Sequence, residues 1–320
     1  MRLDSCRELK LSLHDRETEL LAQTEVPWLG LGIAPAGSGE FRLAVRLRDR
    51  ESVPDWLLDR LSRESHDEFE IVQTGDLATL EARTPAELQK RQRPLVPGCS
   101  VGHPDVSAGT LGAFVTVDDT AHILSNSHVI ANSGRAELCD PILQPGVADD
   151  GSTDIDQVGT LTAQVPLRED QPNVVDAAVA RVRGEVEFAA ADYPGGPVCS
   201  VSAPTGEDTA VEKIGRTTGH TTGRVTAFEV DGLRINFGFA QLVFDGQIEI
   251  SGTGGSFSSG GDSGSLIWTS TGRSAMGLLF AGSEQGGPDG TGLTYANPLS
   301  QVLTAVEARL HGAPAAPRAT

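Results

Sequence analysis

The sequence predicts a mostly β protein: two six-stranded antiparallel barrels preceded by a small α/β domain. Glycine is abundant, at 37 of 320 residues, and long stretches with a helical apolar period are scarce. Short β-branched and aromatic runs instead alternate with Gly-rich turns at close spacing, the pattern of antiparallel barrels. At this length the chain buries a sizeable core and divides into more than one domain.

In chain order, residues 1–26 read as a short amphipathic helix and lead. Residues 27–95 read as the small α/β domain. Within it Trp28 to Ala34 and Phe41 to Leu47 have strand composition. Pro54 to Glu64 places Trp56, Leu57 and Leu61 on one helical face. Glu68 to Val72 is a further strand, ending at Thr74-Gly75, and Pro85 to Gln92 reads as a second helix. Arg93-Pro94-Leu95-Val96-Pro97-Gly98 reads as a linker. The first barrel then spans 96–193 and the second 194–311, joined at Tyr193-Pro194-Gly195-Gly196-Pro197. An amphipathic run to about Leu310 reads as a C-terminal helix, and 312–320, rich in Ala and Pro, as a disordered tail.

Three segments carry chemistry: Leu124-Ser125-Asn126-Ser127-His128-Val129, Val175-Asp176-Ala177-Ala178-Val179-Ala180 and Gly260-Gly261-Asp262-Ser263-Gly264-Ser265. A serine hydroxyl needs a base with a pKa near working pH, and the base needs a carboxylate to fix its tautomer. His128, Asp176 and Ser263 supply the three groups. The glycines beside Ser263 suit a tight turn that aims the backbone N–H groups of Gly261 and Ser263 at one developing oxyanion. Of the other histidines only His122 lies near His128, and its apolar run marks it as a strand residue.

The order His, Asp, Ser resembles that of chymotrypsin-type proteases. Residues 96–311 resemble bacterial trypsin-like serine peptidases. The resemblance also rests on Ala108-Gly109-Thr110-Leu111-Gly112-Ala113-Phe114-Val115, on Gly277-Leu278-Leu279-Phe280-Ala281-Gly282-Ser283 and on Tyr295-Ala296-Asn297-Pro298. Ile214-Gly215-Arg216-Thr217-Thr218-Gly219 and Thr222-Gly223-Arg224-Val225 are similar to a hairpin of streptogrisin-like enzymes. The resemblance implies a serine endopeptidase with His128 as general base and acid, Asp176 orienting it and Ser263 as nucleophile. It implies that Asp262 is buried against a cation, with Lys213 or Arg216 as candidates. It places substrate contacts at Phe257, Ser258, Phe280, Ala281 and Gly282, with Phe257 either flooring the P1 pocket or packing in the second barrel. No aspartate stands there to bind Arg or Lys, so a small or apolar P1 side chain is expected. Phe280 falls where the family carries a serine, which leaves one hydrogen bond to Asp176 open. The alternative reading is a catalytically weak scaffold on the same fold. An esterase is disfavoured, because Ser265 breaks a Gly-x-Ser-x-Gly elbow.

The formal net charge of −19 argues against nucleic-acid binding, which needs clustered Lys and Arg. The expected partners are a polypeptide substrate and a regulatory protein docking on 27–95, with no nucleic acid, no membrane, no metal and no cofactor. The acidic loop Asp149 to Asp156 does not match a calcium-loop spacing and reads as solvated. Cys6, Cys99, Cys139 and Cys199 fit no zinc or dense disulfide pattern, although a Cys139–Cys199 bridge is an open alternative. Met1 to Arg16 lacks a signal-peptide apolar core, so the expected location is cytoplasmic, with free thiols.

Overall fold

A computed structural model describes residues 1–20, 28–37, 39–47, 55–74, 87–204 and 209–312. The N-terminal part comprises α1 (Leu3–Leu20), β1 (Trp28–Gly37), β2 (Glu40–Leu47), α2 (Asp55–Ser65) and β3 (Phe69–Gln73). β2 is antiparallel to β1 and parallel to β3. α2 provides the crossover that a parallel pair needs. Leu43, Val45 and Leu47 alternate along β2 and bury one face against Leu31, Leu13 of α1 and Leu61 of α2. The side chains of Trp56 and Leu57 lie outside the described residues, as does the tail beyond Gly312.

The first barrel contains β4 (Ser100–Val101), β5 (Gly109–Thr110), β6 (Ala113–Val117), β7 (Thr120–Ser125), α3 (Ser127–Ile130), β8 (Pro141–Leu143), β9 (Gln157–Gln164) and β10 (Ala178–Val182). The second contains β11 (Ser200–Val201), β12 (Ala210–Gly215), β13 (Gly219–Asp231), β14 (Leu233–Asn236), β15 (Gln241–Phe244), β16 (Gln247–Gly252), β17 (Leu266–Thr269), β18 (Ser274–Gly282) and β19 (Thr294–Pro298). α4 (Leu299–Ala305) and β20 (Arg309–Leu310) follow. The second barrel runs β12-β17-β18-β19-β16-β13 and closes through β12–β13. The first is a six-stranded sheet in the order β20-β6-β7-β10-β9-β8. The N-terminal strands extend the second barrel's sheet, because β1 pairs antiparallel with β13.

Three expectations are corrected. The helix predicted for Pro85 to Gln92 is a single 3-10 turn at Glu87–Gln89, because its polar groups are bonded sideways to the barrels. Gln89 Nε2 donates to Arg216 O at 3.2 Å, Gln144 Nε2 donates to Lys90 O at 3.0 Å and Gln92 N donates to Gln144 Oε1 at 2.9 Å. The segment 93–98 is docked rather than free: Leu95 is buried and exchanges backbone bonds with Glu187 and Ala189. The C-terminal helix stops at Ala305, where a positive φ at Glu307 turns the chain so that Leu310 packs beside Val115 and β20 pairs with β6.

Candidate active site

His128 lies on the single turn of α3, directly after β7, and Asp176 lies in the segment entering β10. β7 and β10 are hydrogen-bonded neighbours, with Ala178 opposite Ser125, so the two side chains arrive from adjacent strands. His128 Nδ1 is hydrogen-bonded to Asp176 Oδ2, and His128 N–H donates to Asp176 Oδ1 at 3.2 Å. The carboxylate thus accepts from both the imidazole and the backbone of His128. Asp176 is fully buried. Its backbone is gripped from both barrels: Asn126 Nδ2 donates to Asp176 O at 2.8 Å and Asp176 N donates to Asn297 Oδ1 at 2.9 Å. Asn297 Nδ2 donates to Gln247 Oε1, and Gln247 Nε2 to Val174 O. Phe237, beyond β14, stands edge-on to the imidazole with ring centroids 5.9 Å apart.

Ser263 sits on a turn with positive φ at Gly261 (91°) and Gly264 (94°), a region that favours glycine. The turn docks on the first barrel. Thr110 N donates to Ser263 O at 2.8 Å. A Cβ on Gly112 would fall 2.1 Å from Gly264 O, so glycine is required for this approach. Gly112 lies between β5 and β6, within the stretch Ala108 to Val115. Among the described residues the Ser263 hydroxyl has no hydrogen-bond partner, and Gly261 N–H and Ser263 N–H have no acceptor. The Ser263 hydroxyl is thus not hydrogen-bonded to His128 Nε2 in this structure, and the two N–H groups stand beside it on the same turn.

Asp262, next to Ser263, is fully buried. Its carboxylate accepts from Thr217 N (3.0 Å), Thr218 N (3.2 Å), Thr218 Oγ1 (2.7 Å) and Ser259 N (2.9 Å). Of the two candidate cations, Lys213 is the partner, with Nζ 3.4 Å from Oδ2. Burial pulls the Lys213 ammonium below the ordinary lysine value, and Asp262 opposes that pull. Arg216 does not pair with Asp262. It makes a two-point ion pair with Asp149 instead.

The substrate-contact expectations need two corrections. Phe257 is buried in the second barrel's core with Val211, Ile250 and Leu279, beneath Lys213 Nζ at 5.9 Å. Phe280 is fully buried against Phe244, centroids 4.8 Å apart. Both rings point into the core: Phe280 from β18, and Phe257 from the bend that links β16 to β17. Ser258 is half-buried, and its Oγ lies 2.7 Å from Thr294 Oγ1. Ala281 and Gly282 end β18, where Ala281 is opposite Tyr295 and Gly282 opposite Thr294.

The acidic loop is exposed at Asp150, Asp154 and Ile155, but the side chains of Asp149 and Asp156 are buried and paired with Arg216 and Arg91. Cys139 and Cys199 are both exposed and unpaired, which removes the bridge left open above. His122 is buried on β7 with Nδ1 2.9 Å from Thr120 O, and burial lowers its pKa.

Two antiparallel barrels, one closed, with His128 and Asp176 on the first and Ser263 on the second, decide the architecture. This is the chymotrypsin fold. No protein-family model and no curated protein matches the sequence. Solved chymotrypsin-fold structures are similar to it at low identity. A glutamic-acid-specific serine protease is 19% identical, with 68% of this chain and 100% of that chain covered at a TM-score of 0.49. An alpha-lytic protease homologue, N4, is 22% identical over 69% of this chain and 100% of that chain, TM-score 0.48. Thermobifida fusca protease A is 17% identical over 67% and 97%, TM-score 0.47.

Sequence reading missed Asn297, Gln247, Thr217 and Thr218. The segments of Asn297, Thr217 and Thr218 stood out as strand and hairpin motifs, and that of Gln247 did not. What marks them is burial of side-chain amides and hydroxyls, which a single sequence does not display.

Proposed function

We propose that this protein is a serine endopeptidase. The observation that carries the reading is the buried Asp176 bonded to His128 Nδ1. That bond commits the Nδ1 proton to the carboxylate and leaves Nε2 as the base. Nε2 takes the Ser263 proton as Oγ attacks the scissile carbonyl carbon. The oxygen's new charge is met by Gly261 N–H and Ser263 N–H. Nε2 then returns the proton to the leaving amine as the C–N bond breaks, and water hydrolyses the acyl-enzyme by the same route in reverse. No cofactor enters these steps.

The test is a fluorophosphonate probe with mass-spectrometric mapping of the adduct, run beside casein hydrolysis. Labelling confined to Ser263, with turnover lost roughly a millionfold in Ser263→Ala, supports the reading. Casein cleavage that survives Ser263→Ala ends it. Absent labelling favours the scaffold reading, for which the unpartnered Ser263 hydroxyl is the supporting observation.

For P1, the small neutral residues Ser258, Ala281 and Gly282 support a small uncharged side chain. A panel of tetrapeptide p-nitroanilides with Ala, Val, Phe, Glu and Arg at P1 tests this, and fastest turnover of Arg refutes it. Free exposed thiols at Cys139 and Cys199 support a reducing, cytoplasmic compartment. No described helix is long and apolar enough to cross a membrane.

The N-terminal part is proposed to hold the second barrel's shape and to transmit a partner's binding to it. The β1–β13 pairing and Arg46–Glu249 support that route. Removing residues 1–95 is expected to give insoluble protein. A soluble fragment with altered selectivity would instead favour a purely regulatory part.

A further inference from the structure

A serine and two N–H groups stabilise an oxyanion only if the peptide that carries each N–H is held the right way round. The Gly261 N–H belongs to the peptide whose carbonyl is Gly260 O. Turning that peptide over would move the N–H away from the oxyanion and bring the carbonyl in its place. With glycine on both sides, sterics do little to forbid the turn. Something outside the peptide must therefore hold it.

The holding group is the Thr217 hydroxyl, which donates to Gly260 O at 2.5 Å. The next carbonyl, Gly261 O, accepts from Thr110 Oγ1 at 2.8 Å, so both peptides flanking Gly261 are tied through their oxygens. Thr217 is itself fixed on two sides. Its N–H donates to Asp262 Oδ1, and Arg216 Nη1 donates to its Oγ1 at 3.3 Å. Because the Thr217 hydroxyl accepts from that guanidinium, its single proton is directed to Gly260 O.

Arg216 is in turn immobile. It is buried, its Nε donates to Asp149 Oδ2 at 2.8 Å and its Nη2 to Asp149 Oδ1. Its backbone N–H donates to the same Thr110 hydroxyl that ties Gly261 O. The guanidinium lies directly under the turn: a Cβ on Gly261 would fall 2.3 Å from Nη1 and 2.6 Å from Thr217 Oγ1. The ion pair is separate from the Lys213–Asp262 pair, and it starts on the first barrel, in the 3-10 turn at Val147–Asp149.

We infer that Thr217 is a positioning residue of the oxyanion site, and that the Asp149–Arg216 pair is the brace that aims its hydroxyl. The first barrel thereby sets the orientation of a backbone donor on the second. The inference rests on the serine-endopeptidase reading above.

The test compares Thr217→Val, Thr217→Ser and Asp149→Asn in the full chain. The substrate is the p-nitroanilide that the P1 panel ranks first, and a peptide boronate with the same side chain serves as tetrahedral analogue. Losing an oxyanion donor costs about a hundredfold or more in kcat. A donor left free to turn over is expected to cost about thirtyfold in Thr217→Val, with KM within about threefold of wild type. Boronate affinity should fall in parallel with kcat. Thr217→Ser, which keeps the hydroxyl, should stay within about threefold of wild type, and Asp149→Asn should fall between the two. A role in folding alone predicts a lower active fraction by Ser263 titration with unchanged kcat per titrated site, and that result overturns the inference. So does a Thr217→Val enzyme with wild-type kcat. A wild-type protein that neither labels at Ser263 nor cleaves any member of the panel removes the endopeptidase reading itself, and this inference with it.

Discussion

Arg46 of β2 and Glu249 of β16 form a fully buried two-point ion pair across the junction between the N-terminal strands and the second barrel. Glu70 of β3 adds a second carboxylate to Arg46 at 3.0 Å. Thr226 Oγ1 and Tyr295 Oη both donate to Glu249, at 2.8 and 3.1 Å. Burial alone would lower the Arg46 pKa, and Glu249 more than reverses it. Tyr295 is opposite Ala281 in the β18–β19 ladder, so the pair sits one residue from a predicted substrate contact.

Arg46→Met is expected to cost about 3–5 kcal/mol, because it strands the Glu249 carboxylate in the interior. Arg46→Met with Glu249→Leu should recover most of that loss, since replacing both charges by apolar groups is often close to neutral. A double-mutant cycle by urea unfolding reads the coupling. Additive losses would show that the two charges do not depend on one another.

Lys213→Met removes the cation beside Asp262 but leaves its four hydrogen bonds. The expected outcome is a stable but slower enzyme if these bonds hold the turn, with kcat/KM down about tenfold or more. Asp262→Ala, which releases Thr217, Thr218 and Ser259 together, should be worse on both counts. Peptide-anilide kinetics beside urea midpoints separate the two variants, and equal losses would contradict this ordering.

Stability should fall on the alkaline side. Burial pushes the Cys6 thiol up to about 11 and the Cys99 thiol up to about 12. It also raises the buried phenols of Tyr193 and Tyr295, the latter helped by Glu249. A folded pKa above the unfolded one keeps the proton on the native state longer. Its stabilisation is complete below the ordinary thiol value of 9.0 and is lost as pH climbs through the folded values. Lys213, lowered by burial, acts in the opposite sense and is one group against four. Urea midpoints between about pH 7 and 11 should hold and then decline, less steeply in Cys99→Val. A midpoint that rises across the upper half of that range would contradict the assignment.

The four cysteine thiols predict a labelling pattern. Cys139 and Cys199 are exposed, whereas Cys6 and Cys99 are buried. An aromatic disulfide reagent should titrate the exposed pair in native protein and all four in guanidinium. Rapid reaction of Cys99 in native protein would mean that the docked segment around Leu95 opens readily.

The two-barrel fold was legible because short strands and Gly-rich turns survive without coordinates, and chain order singled out His128, Asp176 and Ser263 as the candidate site. The choice between Lys213 and Arg216 was not legible. Both are cations on one hairpin, and only the fold shows that Asp149, far upstream, already holds Arg216. Phe257 and Phe280 misled for a related reason. Phe280 falls where the β18–β19 register shifts, and Phe257 lies in the bend between β16 and β17, so the fold and not the neighbouring sequence sets which way either ring points. The Pro85 to Gln92 helix failed because Gln89 and Gln92 find partners on the barrels that no local propensity anticipates.

β20 and β1 each lie in the sheet of the barrel farther along the chain from them: residues 309–310 edge the first barrel, and residues 28–37 flank the second. The two barrels are therefore interleaved rather than strung in series. Synthesis proceeds from the N-terminus, so the first barrel stays one strand short until residue 310 has left the ribosome. His128 and Asp176 are made early, but the strand that edges their sheet beside β6 is made after the whole second barrel. A nascent chain halted before α4 would expose the β6 edge to other strands.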